Sequence, residues 1–341
     1  MNPIKFGLFI MGTRSGSYHD ILDQVQYAEE LGFDTVALGE RHFSYGDLLY
    51  PSPFSVAAAF AARTARIRIG MAARVLSLDH PLHIAEDAAT LDVLSGGRLD
   101  FGATRASLDE VSHAVFQSPL DESRNRLKEA LEVIVKAWTE ERFSYEGLYY
   151  KIPAVSVYPK PAQRPHPPIS IVAVSDETLT YAAEKGYSAI IGAIRLLPEL
   201  RDTAESYWKM FRDNDGNRNG AGLTINRFIY VSDTDARARG QMERPFMDFI
   251  KNCAPDLKAA LILKYGGEEK FSFNRFVNDF CLCGSPETIA SRIKELADKV
   301  DLSYLLCSLN FITLDHALCL KSMELFAKEV MPAFIREDSI R

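Results

Sequence analysis

Short apolar segments alternate with longer amphipathic segments along almost the whole chain of 341 residues. The apolar segments are rich in Ile, Val and Phe, a composition typical of strands that are buried on both faces. A stretch with helical spacing follows each of them, so the pattern predicts a parallel sheet whose strands are connected by helices. The eight predicted strands are 4–10, 34–39, 67–74, 98–103, 168–174, 188–193, 223–231 and 302–309. Eight strand–helix units favour a closed (β/α)8 TIM barrel over an open, doubly wound sheet.

The segments between the strands carry helix start signals. Ser285 precedes Pro286, a residue suited to the first helical position, and Ser175 precedes Asp176 at the start of another helix. The predicted helices are 19–31, 54–64, 81–94, 121–140, 176–185, 198–213, 233–263, 285–299 and 314–333. No linker marks a domain boundary, so we expect residues 1–341 to form a single domain.

Two excursions interrupt the alternation. Residues 141–162 have the pattern of an extended hairpin followed by a proline-rich connection. Residues 264–280 combine a glycine hinge with aromatic and charged residues. Long segments of this kind in a barrel are usually functional loops or lids, and we expect such a role here.

Composition and charge exclude several classes of protein. Hydrophobic residues make up 47% and charged residues 25% of the chain, the mixture of a folded globular protein. A net charge of −7 without a basic block argues against a nucleic-acid binder and against binding to anionic membranes. No apolar run reaches about 18 residues, and Lys5 interrupts the apolar stretch near the N-terminus. We therefore expect a cytoplasmic protein without a membrane span.

The cysteines and histidines do not form a metal-site pattern. Five cysteines, an odd number in a long chain, are not a disulfide framework. Cys281 and Cys283 lack a second pair at zinc-site spacing, and no acidic ligand is clearly placed beside His80 and His83. We expect reduced thiols and no metal site.

In a TIM barrel, active-site residues lie just after the carboxyl ends of the strands. Polar and charged residues follow several predicted strands at this end. They are Glu40, Arg41 and His42 after the second strand, Arg74 at the end of the third with Asp79 and His80 after it, Arg105 after the fourth, and Ser175 and Thr178 after the fifth.

Four of these positions suit an anion. Ser175 and Thr178 begin a helix, where free N–H groups and the helix dipole favour negative charge. Arg105 and Arg124, which lies early in the next helix, are placed to reach the same barrel mouth. The alternatives are an ordinary helix cap for the hydroxyl residues and surface charges or salt bridges for the arginines.

Other cofactor and nucleophile motifs are absent from the sequence. No G-x-G-x-x-G follows the first strand and no Walker A motif is present, which argues against a tightly bound nicotinamide dinucleotide or a P-loop nucleotide. The G-x-S-x-G nucleophile elbow of α/β-hydrolases is absent as well.

Short motifs are distributed over nearly the whole chain in a characteristic order. They are IKFGLF at 4–9, AEELGF at 28–33, ERHF at 40–43, IRIG at 67–70, LDVLSGGRLDFG at 91–102, PKP at 159–161, GSPE at 284–287 and EVMP at 329–332. In this order and spacing they resemble the bacterial luciferase-like flavin monooxygenase family, most closely its luciferase α and β subunits.

The resemblance implies a barrel that binds FMN. The residues that hold the flavin phosphate in the luciferase α subunit are matched here by Arg105, Arg124, Ser175 and Thr178. Met71, Ala72 and Ala73 match the bend where a non-prolyl cis peptide lies against the isoalloxazine ring. Small side chains at this bend would let the planar ring approach the backbone.

The resemblance also implies a reaction. Reduced FMN (FMNH2) would activate O2 as a C4a-peroxyflavin, which then oxygenates a small organic substrate. Because no dinucleotide motif is present, a separate NAD(P)H:flavin reductase is expected to supply the FMNH2. The 264–280 segment matches the region of the family's mobile lid, and a homodimer is expected from the family.

One position departs from the luciferase α pattern. That subunit carries two adjacent histidines where this chain has Arg41 and His42, and the first of them is the catalytic base. Arginine cannot act as a base at ordinary pH, and Thr104 replaces a cysteine that lies near the flavin. Aldehyde-dependent light emission is therefore not expected, and His42 or His80 is the expected proton-handling residue.

Two other functions stay open at this stage. A hydride-transferring oxidoreductase of the same superfamily, dependent on the deazaflavin F420, would use a similar barrel without O2. A non-catalytic, flavin-binding subunit resembling luciferase β is the other, and Arg41 is the residue that favours it.

Overall fold

The structure is a computed structural model that describes residues 3–12, 17–43, 50–105, 110–173, 175–213, 222–252, 255–310 and 313–335. Its strands are β1 (Lys5–Phe9), β2 (Thr35–Leu38), β3 (Arg68–Met71), β4 (Arg74–Val75), β5 (Leu99–Thr104), β6 (Phe143–Glu146), β7 (Lys151–Val155), β8 (Ile169–Val172), β9 (Ser188–Ile191), β10 (Leu223–Val231), β11 (Cys281–Gly284) and β12 (Tyr304–Ser308).

The α-helices within the described residues are mostly those of the strand–helix alternation. They are α1 (Tyr18–Glu30), α2 (Pro53–Arg63), α3 (Pro81–Leu94), α4 (Glu110–Val115), α5 (Ser123–Thr139), α6 (Asp176–Lys185), α7 (Leu197–Asp213), α8 (Asp235–Asn252), α9 (Pro255–Tyr265), α10 (Phe273–Phe280), α11 (Pro286–Lys299) and α12 (His316–Leu325). Across the described ranges, no helix has both the length and the apolar character that a membrane crossing requires.

Eight parallel strands close into a barrel in the order β1, β2, β3, β5, β8, β9, β10 and β12, which returns to β1. Each of the eight falls on a predicted strand, so the predicted (β/α)8 barrel is confirmed. β1 is central to the closure, because Gly7 lies opposite Leu306 of β12 on one side and Thr35 of β2 on the other. β4 follows β3 after a short bend and pairs with β5.

Successive residues of each barrel strand face opposite ways. In β1, Phe6 packs outward with its ring 5.5 Å from that of Phe326, and Leu8 is buried in the same core. Lys5 and Phe9 instead line cavities inside the barrel. Side chains therefore alternate along each strand. One set packs against the helices, and the other set faces the barrel axis.

The excursion at 141–162 contains the predicted hairpin, since β6 and β7 pair in antiparallel fashion. Within the predicted helix 233–263, the described residues form α8 and α9, and α9 begins at Pro255, a residue favoured in a first helical turn. Residues 253 and 254 of this predicted helix lie outside the described residues. β11, which pairs with the barrel strand β10, was not predicted. Its four residues, Cys-Leu-Cys-Gly, lack the β-branched and aromatic residues that mark a strand.

The 264–280 segment contains more regular structure than its sequence predicts. Gly266 and Gly267 have positive φ angles of 73° and 143°, a conformation that suits glycine, and a short 3-10 turn follows at Glu268–Lys270. The following helix, α10, buries Phe273, Phe276 and two further apolar residues. Its role as a lid stays a prediction.

An aromatic cluster lies at the carboxyl end of β10. It is formed by Phe228 of β10, Phe246 and Phe249 of α8, and Phe273 and Phe276 of α10. The rings of Phe246 and Phe276 stack with centroids 3.9 Å apart, and Phe228 lies 5.8 Å from Phe249. Helices α8 and α10 thus place an apolar layer beside the barrel mouth.

A carboxylate connects α1 to the start of β3. Glu29 Oε1 accepts hydrogen bonds from the backbone N–H groups of Ala65, Arg66 and Ile67 at 2.9, 2.6 and 2.9 Å. Burial acts to raise the pKa of Glu29, but the three backbone donors outweigh it and hold the pKa below its ordinary value. The ionised carboxylate therefore stabilises the fold above its ordinary pKa, and this contribution is lost as pH falls through the folded-state pKa.

We expect Glu29→Gln to lower the free energy of unfolding near neutral pH. The difference from wild type should narrow below about pH 4, where the wild-type carboxylate is also neutral. Urea unfolding measured across this pH range checks the prediction, with the exposed neighbour Glu30→Gln as control. A Glu29→Gln difference that stays constant with pH contradicts it.

Candidate active site

The carboxyl ends of the barrel strands surround a cavity of about 230 Å³. Its apolar lining residues include Phe9, Met11, Val172, Ile190, Phe228 and Phe249. Polar groups come from Arg41 and from Asn226, whose Nδ2 donates to Ser308 Oγ at 3.2 Å. A mostly apolar cavity with a few polar groups is the usual environment of a small organic ligand.

Ala72 lies at this cavity, on the bend between β3 and β4. The peptide bond between Ala72 and Ala73 is cis, as the resemblance led us to expect. Hydrogen bonds fix the bend to the neighbouring strand, because Ala72 N–H donates to the Leu38 carbonyl at 2.7 Å and Glu40 N–H donates to the Ala73 carbonyl at 3.2 Å. The predicted residues Ala72 and Arg41 are thus brought to one cavity.

Gly102 of β5 makes this arrangement possible, and sequence reasoning missed it. The carbonyl oxygen of Met71 approaches Gly102 so closely that a Cβ atom there would overlap it. Any other residue would displace the backbone that leads into the bend at Ala72. The signal in the sequence was a glycine inside a buried strand, which often marks a close backbone approach.

A buried carboxylate, Glu40, joins three groups beside the bend. Its side chain is 1% exposed and accepts hydrogen bonds from Arg74 Nη1 and, at 2.6 Å, from Val75 N–H. His42 Nε2 lies 2.8 Å from the same carboxylate, while Arg74 Nη2 also contacts Asp79 at 2.7 Å. If His42 Nε2 carries the proton that Glu40 accepts, the neutral ring leaves Nδ1 available as a base.

Sequence reasoning did not identify Glu40 and Arg74 as a pair. They are 34 positions apart in the sequence and meet because β2 and β3 are neighbours whose carboxyl ends coincide. The available signal was two opposite charges at the ends of consecutive predicted strands.

His42 and Arg41 face different spaces. Arg41 lines the apolar cavity, whereas His42 borders a polar cavity of about 410 Å³ that is also lined by Asp79 and Asp87. Burial raises the pKa of the Asp87 carboxyl. The His42 ring contacts the ring of Phe116 edge to face at 4.9 Å, which holds it in place.

His80 occupies a structural position. Its Nδ1 accepts a hydrogen bond from Leu82 N–H at 3.3 Å, so it caps the start of α3. Burial and the neighbouring His83 lower the pKa of its imidazole. His80 is not among the described residues that line either cavity, so it shares neither the apolar cavity with Arg41 nor the polar cavity with His42.

The four predicted phosphate-site residues lie at one corner of the barrel mouth. Ser175 has the backbone conformation of a helix cap, but its hydroxyl does not cap α6; instead its Oγ lies 3.0 Å from Thr178 Oγ1. Arg124 Nη1 contacts Glu177 at 2.5 Å, in the first turn of the same helix. Burial, and next the charge of Arg124, lower the pKa of Arg105.

Two arginine atoms at this corner are suited to a further acceptor. Among the described residues, neither Arg105 Nε nor Arg124 Nε has a hydrogen-bond partner, although both atoms are buried. Buried donors without acceptors are rare in folded proteins because their desolvation is costly. Two cationic donors, two hydroxyls and a helix N-terminus together form a donor set that fits a phosphate group.

Comparison with known proteins identifies relatives along the whole chain. A family model for luciferase-like monooxygenases matches residues 4–301. Limonene 1,2-monooxygenase of Rhodococcus erythropolis is 26% identical over 97% of this chain and 87% of its own. The F420-dependent glucose-6-phosphate dehydrogenase of Microbacterium testaceum is 33% identical over 48% of this chain and 49% of its own.

Solved structures share the fold. The monooxygenase RslO1 from Streptomyces bottropensis superposes with a TM-score of 0.85 at 24% identity, over 97% of this chain and 100% of that one. The oxygenating constituent of 3,6-diketocamphane monooxygenase from Pseudomonas putida, solved in complex with FMN, superposes with a TM-score of 0.82 at 19% identity, over 98% and 99% of the two chains.

Proposed function

Because the chain belongs to the luciferase-like monooxygenase family, we propose that it is the oxygenase of a two-component system that uses FMNH2 and O2. Its substrate is a small, uncharged organic compound. The observation that carries the proposal is the pair of buried, unsatisfied Nε atoms of Arg105 and Arg124 beside the hydroxyls of Ser175 and Thr178. A phosphate group satisfies these donors, and FMN carries one.

The apolar cavity supports the same cofactor. A planar ring placed against Ala72 meets a small side chain and the walls provided by Val172 and Ile190. When bound, reduced FMN supplies the activation of O2, which we propose to proceed through a C4a-peroxyflavin. The apolar walls would exclude bulk water and so limit the loss of the reactive species as H2O2.

Proton transfer is assigned in this proposal to His42, which borders the polar cavity and not the apolar one, so that protons would enter from the polar side of the bend. Glu40 holds the Nε2 side of the ring at 2.8 Å, which leaves Nδ1 to accept or donate a proton. His80 is less suited, because its Nδ1 caps α3. Arg41 lines the cavity and contributes a fixed positive charge that stabilises a developing oxyanion, not a base.

The walls of the cavity also restrict the substrate. Charged compounds lose their hydration in such a cavity, and Arg41 is the charged residue among its described lining residues. The aromatic cluster contributes Phe228 and Phe249 to the wall, so substrates with apolar or aromatic bodies fit best. The proposal also includes a lid formed by residues 264–280, a separate reductase that supplies FMNH2, a homodimer and a cytoplasmic location.

A second candidate, hydride transfer from F420, is favoured by the F420-dependent dehydrogenase that is 33% identical over half of the chain. F420 also carries a phosphate and a planar ring, so the same residues are consistent with it.

We expect the purified protein, mixed with photoreduced FMN and O2, to form an oxygenated flavin that outlives the one formed by free FMN. Stopped-flow absorbance measures this lifetime directly. Free FMN alone and FMN with a denatured sample serve as controls. Reoxidation no different from free FMN, together with hydride exchange with reduced F420, would favour the F420 enzyme. A requirement for a homologous partner chain before any intermediate forms would favour the β-like subunit.

A further inference from the structure

A second and larger cavity lies inside the barrel, on the side opposite the mouth. Its volume is about 810 Å³, and we call it the basal vestibule. Its polar lining side chains include Lys5, Thr35, Arg68, Asp100, Ser170 and Tyr304. Arg68 and Asp100 form an ion pair at 2.6 Å, and their side chains are 34% and 27% exposed, so the vestibule reaches the surface at the amino-terminal face of the barrel.

Small residues on the inward face account for this cavity. TIM barrels usually fill their axis with layers of bulky branched side chains. Here the neighbouring strands β2 and β3 instead place Ala37 and Gly70, which lie opposite each other, along the wall of the cavity. The vestibule therefore extends up the barrel axis past Ala37 and Gly70 as far as Ala72.

The vestibule and the apolar cavity share three lining residues, Ala72, Ile190 and Leu306. These residues form an apolar neck between a polar space that opens below and the space where the flavin ring is proposed to lie above. Water entering such a neck loses hydrogen bonds, which is costly, whereas O2 is small, uncharged and has none to lose. An opening at this neck would therefore admit O2 more readily than water.

We propose that O2 reaches the flavin through the barrel axis, from the basal vestibule past the neck of Ala72, Ile190 and Leu306. The inference rests on the proposed function. The barrel mouth is bordered by the aromatic cluster and must admit both the flavin and the organic substrate. A separate entrance for the gaseous reactant lets the mouth stay closed over substrate while O2 arrives from below.

Ser170→Phe tests the route, because Ser170 lines the vestibule but not the apolar cavity. We expect the second-order rate constant for oxidation of bound FMNH2 by O2 to fall about tenfold, with FMN affinity unchanged. Ser170→Ala, which removes the hydroxyl without filling the vestibule, is the matched control and should react at the wild-type rate. Ala37→Leu, on the opposite side of the axis, should slow the reaction in the same way.

Three results decide the matter. Slower oxidation in both filled variants, but not in Ser170→Ala, supports the route. Rate constants within about twofold of wild type in folded Ser170→Phe and Ala37→Leu overturn it and leave the proposed function intact. If bound FMNH2 does not react with O2 in the wild-type protein, the proposed function and the route fail together.

Discussion

Replacing Arg105 with alanine should weaken FMN binding by about 1.5–3 kcal/mol, which corresponds to about a 10- to 150-fold increase in Kd. The range is that of a hydrogen bond to a charged group. Arg105 is well placed to provide one, because its Nε is buried and has no partner among the described residues. Its backbone carbonyl accepts a hydrogen bond from Ser77 Oγ at 3.2 Å, and His113 Nε2 lies at the same distance from it, so the main chain is expected to keep its position when the side chain is shortened.

Riboflavin provides the control ligand, since it has the ring of FMN without the phosphate. Its affinity should be the same for wild type and Arg105→Ala. Arg201→Ala is the matched control variant. Arg201 is a half-exposed arginine that pairs with the adjacent Asp202 and is not part of the predicted phosphate site. Fluorescence titration of both ligands against the three proteins gives the six affinities needed. Equal losses for FMN and riboflavin would show that Arg105 acts on the fold and not on the phosphate.

Glu40→Ala should lower the free energy of unfolding by about 3–5 kcal/mol, the usual cost of removing one partner from a buried ion pair. Glu40 and Arg74 are 1% and 9% exposed, so the guanidinium would keep little contact with water to compensate for the lost carboxylate. Val75 N–H would also lose its acceptor. Asp79 remains on Arg74 and limits the loss.

Chemical denaturation monitored by tryptophan fluorescence measures this difference. Glu40→Gln is the informative companion, because it retains an acceptor for Val75 N–H while it removes the negative charge. It should be less destabilised than Glu40→Ala and should still slow turnover, since His42 loses its charged partner. A Glu40→Ala protein as stable as wild type would show that the ion pair does not hold this end of the barrel.

The barrel was predictable because its signals are local. Each unit, a strand buried on both faces followed by a segment with helical spacing, is complete within about 30 residues of sequence. Eight such units in succession leave few alternatives to a closed barrel. β11 gave no such signal, because the composition of Cys281, Leu282 and Cys283 does not distinguish a short strand from a loop.

The candidate site was predictable only in part. The adjacent strands β5 and β8 are followed by Arg105 and Ser175, and the helices after them begin with the turns that carry Arg124 and Thr178. Position along the barrel therefore places the four residues at one corner of the mouth. Arg41 and His42 are neighbours in sequence and yet line different cavities. The predicted helix 81–94 places His80 directly before α3, but the strand pattern does not specify the hydrogen bond by which its side chain caps this helix.

A crystal structure of the protein with FMN tests the central claim most directly. We expect the phosphate to accept hydrogen bonds from Arg105, Arg124 and the hydroxyls of Ser175 and Thr178, with Glu177 displaced from Arg124. We expect the flavin ring to lie against the peptide bond between Ala72 and Ala73. A phosphate bound elsewhere, or a ring that does not contact Ala72, would contradict the account.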